Sequence, residues 1–194
     1  GYAVVLVSFP FEMTRWASEP HVMDSVARWM SQPDGFTGAT PLDTFRAARV
    51  AGQTSVAEGK AYLTHGTVVV AVAYAVGGVW LATRRVIDVR MPVVMLVGMA
   101  LLGTLLHAWV PERYLPPLEQ VLVGGTVMTA FFILTDPVSA PRSWLGGYVA
   151  AVLVAGLTLA VRGYGGFPDG LAFAVLAVNA FTPVLDRLRP ATSW

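Results

Sequence analysis

The chain has 194 residues, 55% of them hydrophobic and 13% charged, with a formal net charge of +1 and a mean hydropathy of +0.61. Soluble domains carry roughly twice that share of charge, so a water-facing globular surface is excluded. Twelve arginines, one lysine and twelve acids are scattered without a basic stripe, so no nucleic-acid partner is expected; the absence of cysteine excludes disulfides, thiolate metal sites and iron–sulfur ligation by this chain.

In chain order, Gly1 to Phe11 is apolar but only about half the ~20 residues that a bilayer crossing needs. It reads as the end of a truncated transmembrane helix, closed at Phe9-Pro10. The chain is apolar from its first residues and shows neither an initiator Met nor a basic leader. It is therefore expected to begin inside a helix and to be part of something longer. Residues 12–60 are polar, with Pro20, Pro33 and Pro41 and scattered Gly, and are too long for a featureless connector. Within them, His21 to Met30 has Val22, Met23, Val26, Trp29 and Met30 at helical spacing, which predicts a short amphipathic helix near the membrane interface. Pro41 to Ala51 predicts one or two further turns, with Pro41 at the first position and Leu42, Phe45 and Ala48 on one face.

Residues 61–194 form the transmembrane domain. Five apolar runs, about 63–82, 91–109, 118–134, 144–161 and 170–185, approach spanning length. Lipid offers the backbone no hydrogen-bonding water, so these segments are helices and cannot be an open sheet. The fold class is all-α and polytopic: five transmembrane helices plus the end of a truncated one. Alternate links on one side hold Arg84, Arg85, Arg90, Arg142, Arg187 and Arg189, whereas the two short links opposite hold Arg113 and Arg162. The positive-inside tendency puts the richer side in the cytoplasm and the 12–60 loop outside, although five basic residues in that loop weaken the contrast.

Two places predict broken helices. Thr135-Asp136-Pro137 sets an acid and a helix breaker directly after an apolar run, and Gly163 to Gly170 holds four Gly, Pro168 and Asp169 just before the last run. Asp136 and Asp169 each have two readings: a helix cap at the interface, or the polar lining of a ligand or ion path. His21, His65 and His107 share no metal-ligand spacing, and His107 near Trp109 reads as interfacial. Trp and Tyr near segment ends suit an interfacial belt, and Phe131-Phe132 reads as core packing. No phosphate loop, zinc motif or catalytic triad is present.

The chemistry-bearing stretch is Asp34-Gly35-Phe36-Thr37-Gly38-Ala39-Thr40-Pro41. Gly38 and Ala39 leave room for another molecule to approach, and Pro41 biases Thr40 away from the helical region, which turns its hydroxyl outward. A threonine hydroxyl is a weak nucleophile without a base or metal. Asp34 is the one acid in this stretch, so a separate enzyme would have to activate Thr40.

This loop resembles the flavinylation motif of the RnfD membrane subunit of the Rnf electron-transport complex and of the NqrB membrane subunit of the sodium-translocating NADH:quinone oxidoreductase, where Asp and Gly precede Ser/Thr-Gly-Ala-Thr-Pro. Ser8-Phe9-Pro10 with Met13-Thr14, Thr129-Ala130-Phe131-Phe132 running into Thr135-Asp136-Pro137-Val138-Ser139-Ala140, and Gly165 to Leu176 before Asn179 and Pro183 extend the resemblance along the chain. The last block favours the Rnf protein. The resemblance implies a phosphoester of FMN on Thr40, with Asp34, Thr37, Gly38, Ala39 and Pro41 around it, installed from FAD by a periplasmic flavin transferase. It also implies a bacterial inner-membrane setting, with other Rnf membrane, flavin and iron–sulfur subunits as partners besides membrane lipid. The complex would relay electrons between ferredoxin and NAD, coupled to Na+ or H+ transport. The resemblance leaves open a second, noncovalent flavin such as riboflavin among the spans. A non-redox channel or transporter, or a structural anchor whose loop only binds partner subunits, remains an alternative to a redox subunit.

Overall fold

The computed structural model describes residues 40–52, 63, 65–167 and 169–188. The expected helix end at 1–11, the interfacial helix at 21–30, and Asp34, Thr37, Gly38 and Ala39 of the loop lie outside these residues, as do Pro168 and Arg189. No strand occurs among the described residues, as the lipid argument requires.

The elements in chain order are α1 (Pro41–Val50), α2 (His65–Thr83), α3 (Arg90–Trp109), α4 (Pro117–Leu122), α5 (Thr126–Met128, running into a π-helical turn over Thr129–Ile133), α6 (Trp144–Tyr164) and α7 (Leu171–Leu185, closed by a 3-10 turn over Asp186–Leu188). Four helices, α2, α3, α6 and α7, are long and apolar enough to cross a membrane, and they coincide with four of the five expected spans.

The remaining expected span, 118–134, is not a continuous helix. Pro116-Pro117 starts α4, but Val123 is extended (ψ 143°) and Gly124 lies in the left-handed region (φ +77°), so the helical ladder stops before α5 begins. A residue with a Cβ resists that left-handed conformation, and glycine does not. The segment still passes from one side to the other. Its start packs with Leu63, just before α2, whereas Ser139 beyond its end accepts a hydrogen bond from Thr182 Oγ1, late in α7, at 3.1 Å. Asp136 at this far end is a turn cap: its Oδ2 accepts from Ser139 N at 3.2 Å and Ser139 Oγ at 2.8 Å. The breaks expected near Pro137 and over Gly163 to Gly170 are helix ends, since the π-helical turn closes at Ile133 and α6 at Tyr164.

The core sits around α6. Ala150, Ala151, Val154, Ala155 and Thr158 are wholly buried there, facing Met95 and Met99 of α3. Small residues let membrane helices approach closely, and packing contacts replace the hydrophobic drive that lipid cannot supply. Phe131 fills a notch on α2 at Gly78, where any Cβ would collide with its ring. That agrees with the core reading for Phe131, whereas Phe132 is 39% exposed and meets Tyr74 edge to face. The large exposed apolar residues, such as Val76, Leu101, Leu105 and Leu176, lie on the outer faces of the spans and suit contact with lipid tails.

Candidate functional site

The geometry around Thr40 follows from its neighbour. A residue before proline is pushed towards extended backbone, and Thr40 has φ −63° and ψ 160°. It is therefore the N-cap of α1. Its Oγ1 accepts a hydrogen bond from Asp43 N at 3.2 Å, and its carbonyl accepts from Thr44 N at 2.8 Å and Thr44 Oγ1 at 3.0 Å. Pro41 occupies the first helical position, where a missing N–H costs nothing. Thr40 remains exposed to solvent. Its hydroxyl is thus presented outward at the positive end of a ten-residue helix, where the free backbone N–H groups favour an anion. Asp43 in the first turn opposes that effect, and Arg46 at 3.9 Å offsets it through a solvent-exposed pair of modest strength.

Two attachments fix α1 to the membrane domain. Leu42 and Phe45, each 5% exposed, pack with Leu115 and Val123, and Leu63 adds to the cluster. At the other end of the helix, Arg49 Nη1 donates to the carbonyls of Arg162 at 2.9 Å and Gly163 at 2.8 Å. These belong to the last turn of α6, whose carbonyls lack intrahelical donors. Burial, and then the charge of Arg113, hold the Arg49 guanidinium below the usual arginine value. Close by, burial raises the Tyr114 hydroxyl above its usual value, and Tyr164 adds to the effect.

Directly beneath lies Arg162, whose side chain is 4% exposed. Nη1 donates to the Gln120 carbonyl at 2.8 Å and to Gln120 Oε1 at 3.1 Å. Nη2 donates to Thr126 Oγ1 at 3.0 Å and, more weakly, to the Val123 carbonyl at 3.4 Å. Its charge is met by Asp169 Oδ1, 3.1 Å from Nη2 and 3.3 Å from Nε. A buried cation needs both an opposite charge and filled hydrogen bonds, and Arg162 has both. It fills the carbonyls that the break between α4 and α5 leaves open. Gly124 is the meeting point: a Cβ there would lie 2.6 Å from Asp169 Oδ2, 2.7 Å from Leu42 Cδ1 and 3.1 Å from Arg162 Nη2. The helix that Thr40 caps therefore rests, through Leu42, on the same glycine as the ion pair.

Asp169 both caps and lines. Its Oδ1 accepts from Leu171 N at the start of α7, and its Oδ2 accepts from Gly125 N, each at 3.3 Å. It also borders a groove of about 450 Å³ between α5 and α7, together with Gly125, Met128, Thr129, Val175 and Asn179. Asp136 is not on that groove. His107 is held through Nδ1 to the Tyr114 carbonyl at 2.7 Å; since a carbonyl only accepts, that nitrogen carries the proton. No group of His, Asp and Glu suited to a metal ion occurs among the described residues.

In the sequence Arg162 reads as a link charge, and neither its burial nor the break at Gly124 is apparent there. The signal is present: Gln120, Gly124, Gly125, Thr126 and Thr129 interrupt an otherwise apolar run.

The sequence model of the NQR2, RnfD, RnfE family matches residues 1–193. The chain is 38% identical over 200 residues to the D subunit of the ion-translocating oxidoreductase complex of Alcanivorax borkumensis, covering 96% of this chain and 58% of that protein. It is 39% identical over 213 residues to the corresponding D subunit of Cronobacter sakazakii, covering 96% and 61%. The D subunit of Halorhodospira halophila is 38% identical over 219 residues, again with 96% of this chain and 58% of the relative covered. The chain thus spans about three fifths of the length of these curated relatives.

Proposed function

The chain belongs to the NQR2, RnfD, RnfE family, and from that premise we propose that it is a membrane subunit of an ion-translocating oxidoreductase complex that carries FMN covalently on Thr40. Residues 61–194 are its transmembrane scaffold, 12–60 an outer loop with the attachment motif, and 1–11 the end of a further helix. The observation that carries this reading is the placement of the Thr40 hydroxyl: exposed, at the N-terminus of a helix anchored to the scaffold, and last in the run Thr37-Gly38-Ala39-Thr40 before Pro41.

The residues fit a phosphoester. Thr40 Oγ1 already accepts from Asp43 N, and a phosphate there would sit in the favourable field of the α1 N-terminus, worth about 0.3–1 kcal/mol. Pro41 holds the hydroxyl in extended backbone, and Gly38 and Ala39 add little bulk. A flavin transferase would supply the activation that Thr40 lacks. In that transfer the threonine oxygen bonds to the flavin-side phosphorus of FAD, the pyrophosphate bond breaks, and AMP and a proton leave. Once bound, the flavin supplies reversible electron transfer. The chain's own residues hold its tether: Leu42, Phe45 and Arg49 keep α1 on the scaffold.

For the outer placement of α1 we rely on charge. Arg84, Arg85, Arg90, Arg142 and Arg187 lie on links or helix ends away from α1. Arg162 faces the protein interior, so among the described residues of the two short links on the α1 side Arg113 is the one basic charge, set against the five basic residues of the 12–60 loop. The contrast favours a cytoplasmic face opposite α1 and hence a periplasmic Thr40. Electron relay between ferredoxin and NAD, coupling to Na+ or H+, and assembly with flavin and iron–sulfur subunits complete the proposal. The names of the relatives, each the D subunit of its complex, favour it over the NqrB protein of the sodium-translocating quinone reductase. Coexpression with the transferase should give a fluorescent band on a denaturing gel; a Thr40→Val chain that still fluoresces would defeat the assignment.

A further inference from the structure

We infer that Arg49 is a positioning residue, which fixes the direction of α1 and so sets where a flavin tethered at Thr40 stands over the break between α4 and α5. The inference rests on the reading of Thr40 as the tether. The apolar anchors of α1, Leu42 and Phe45, are both in its first half, whereas Ala47 and Val50 in its second half are exposed. A helix held at one end can swing about that end. Arg49 supplies the second point, about 10 Å along the axis from Leu42, with one nitrogen shared between the carbonyls of Arg162 and Gly163 at 2.9 and 2.8 Å. These carbonyls belong to the turn whose side chain, Arg162, reaches into the break through Gln120 and Thr126. One turn of α6 thus carries both the tethered helix and the broken segment. A role confined to capping α6 would stabilise that helix end and leave the direction of α1 unchanged.

This chain lacks cysteine, so an introduced cysteine pair labelled on the purified full-length subunit, before it joins its partners, reports on this chain alone. We would place nitroxides at Ala47→Cys on α1 and Leu118→Cys on α4, both exposed, in the assembled complex in lipid nanodiscs, and record the distance distribution by pulsed EPR. The expected result is one narrow distance with Arg49, at least a doubling of the width with Arg49→Met, and recovery with Arg49→Lys, whose ammonium can still donate to both carbonyls. In parallel, the fluorescence anisotropy of the attached flavin, compared at equal flavin loading on the denaturing gel, should fall in Arg49→Met and not in Arg49→Lys. An Arg49→Met protein with unchanged width and unchanged anisotropy overturns the inference. If Arg49→Met does not assemble, Arg49→Gln, which loses reach and charge, carries the same comparison. A parent complex without covalent flavin would sink the tether reading instead, and the distance widths would still decide whether Arg49 directs the helix.

Discussion

Arg162 Nη2 and Asp169 Oδ1 meet at 3.1 Å, one partner with 4% of its side chain exposed and the other with 30%. The pair joins three things that are far apart in sequence: the break in the third apolar segment, the start of α7, and the glycine on which Leu42 rests. Its asymmetry in burial makes the two partners unequal under mutation.

Removing Asp169 leaves a cation in the interior with no counterion. Asp169→Ala should therefore lower stability by about 2–3 kcal/mol, somewhat below the 3–5 typical of a fully buried pair because Asp169 keeps some water. The double variant Arg162→Met/Asp169→Ala should recover part of that loss. Thermal melting of the detergent-solubilised protein measures both, and a double variant less stable than Asp169→Ala would contradict the assignment.

Gly124→Ala should cost on the order of 1–3 kcal/mol from its left-handed backbone alone, and the added methyl also meets Asp169 and Leu42. The damage should reach α1. Limited trypsin digestion should cut faster after Arg46 and Arg49 in this variant, and an unchanged cleavage rate would mean that α1 does not depend on the glycine.

How far this was legible beforehand depends on which force decides each element. Burial in lipid is written in composition, so α2, α3, α6 and α7 stand where their apolar runs predict. The start of α1 at Pro41 and its buried Leu42 and Phe45 follow from proline chemistry and helical spacing. The third segment misleads because its hydropathy and its backbone disagree: the residues around Gly124 are apolar enough to span, yet Arg162 from about forty residues away takes their carbonyls. A long-range partner of that kind has no periodicity to read. The same reason hides the double role of Asp169, whose cap is local and whose ion pair is not.

Asp136 predicts a pH dependence. Its hydrogen bond from Ser139 is the main cause that holds its carboxyl below the usual range, against the opposing effect of burial. A carboxyl whose pKa is lower in the folded state adds stability that is full above the unfolded pKa and is lost as pH falls through the folded one. Asp136→Asn should therefore melt below the parent at neutral pH, and the gap should close as the pH falls below the ordinary aspartate range. A constant gap across that range would mean that the charge does not matter there. Flavin loading should be unchanged in this variant.

Asn179 lies near the middle of the last span, lines the groove, and is half-buried without a hydrogen-bond partner among the described residues. A half-buried amide on an apolar groove loses part of its hydration, so Asn179→Leu should raise the melting temperature of the solubilised chain. A fall instead would show that the amide is hydrogen-bonded in the folded protein.

The tether on Thr40 is the claim on which the functional account depends. With the chain coexpressed beside a flavin transferase, mass spectrometry of the tryptic peptide spanning residues 29–46 should show a single added FMN, with fragment ions placing it on Thr40. The same peptide unmodified, or modified on Thr37 in place of Thr40, would contradict it.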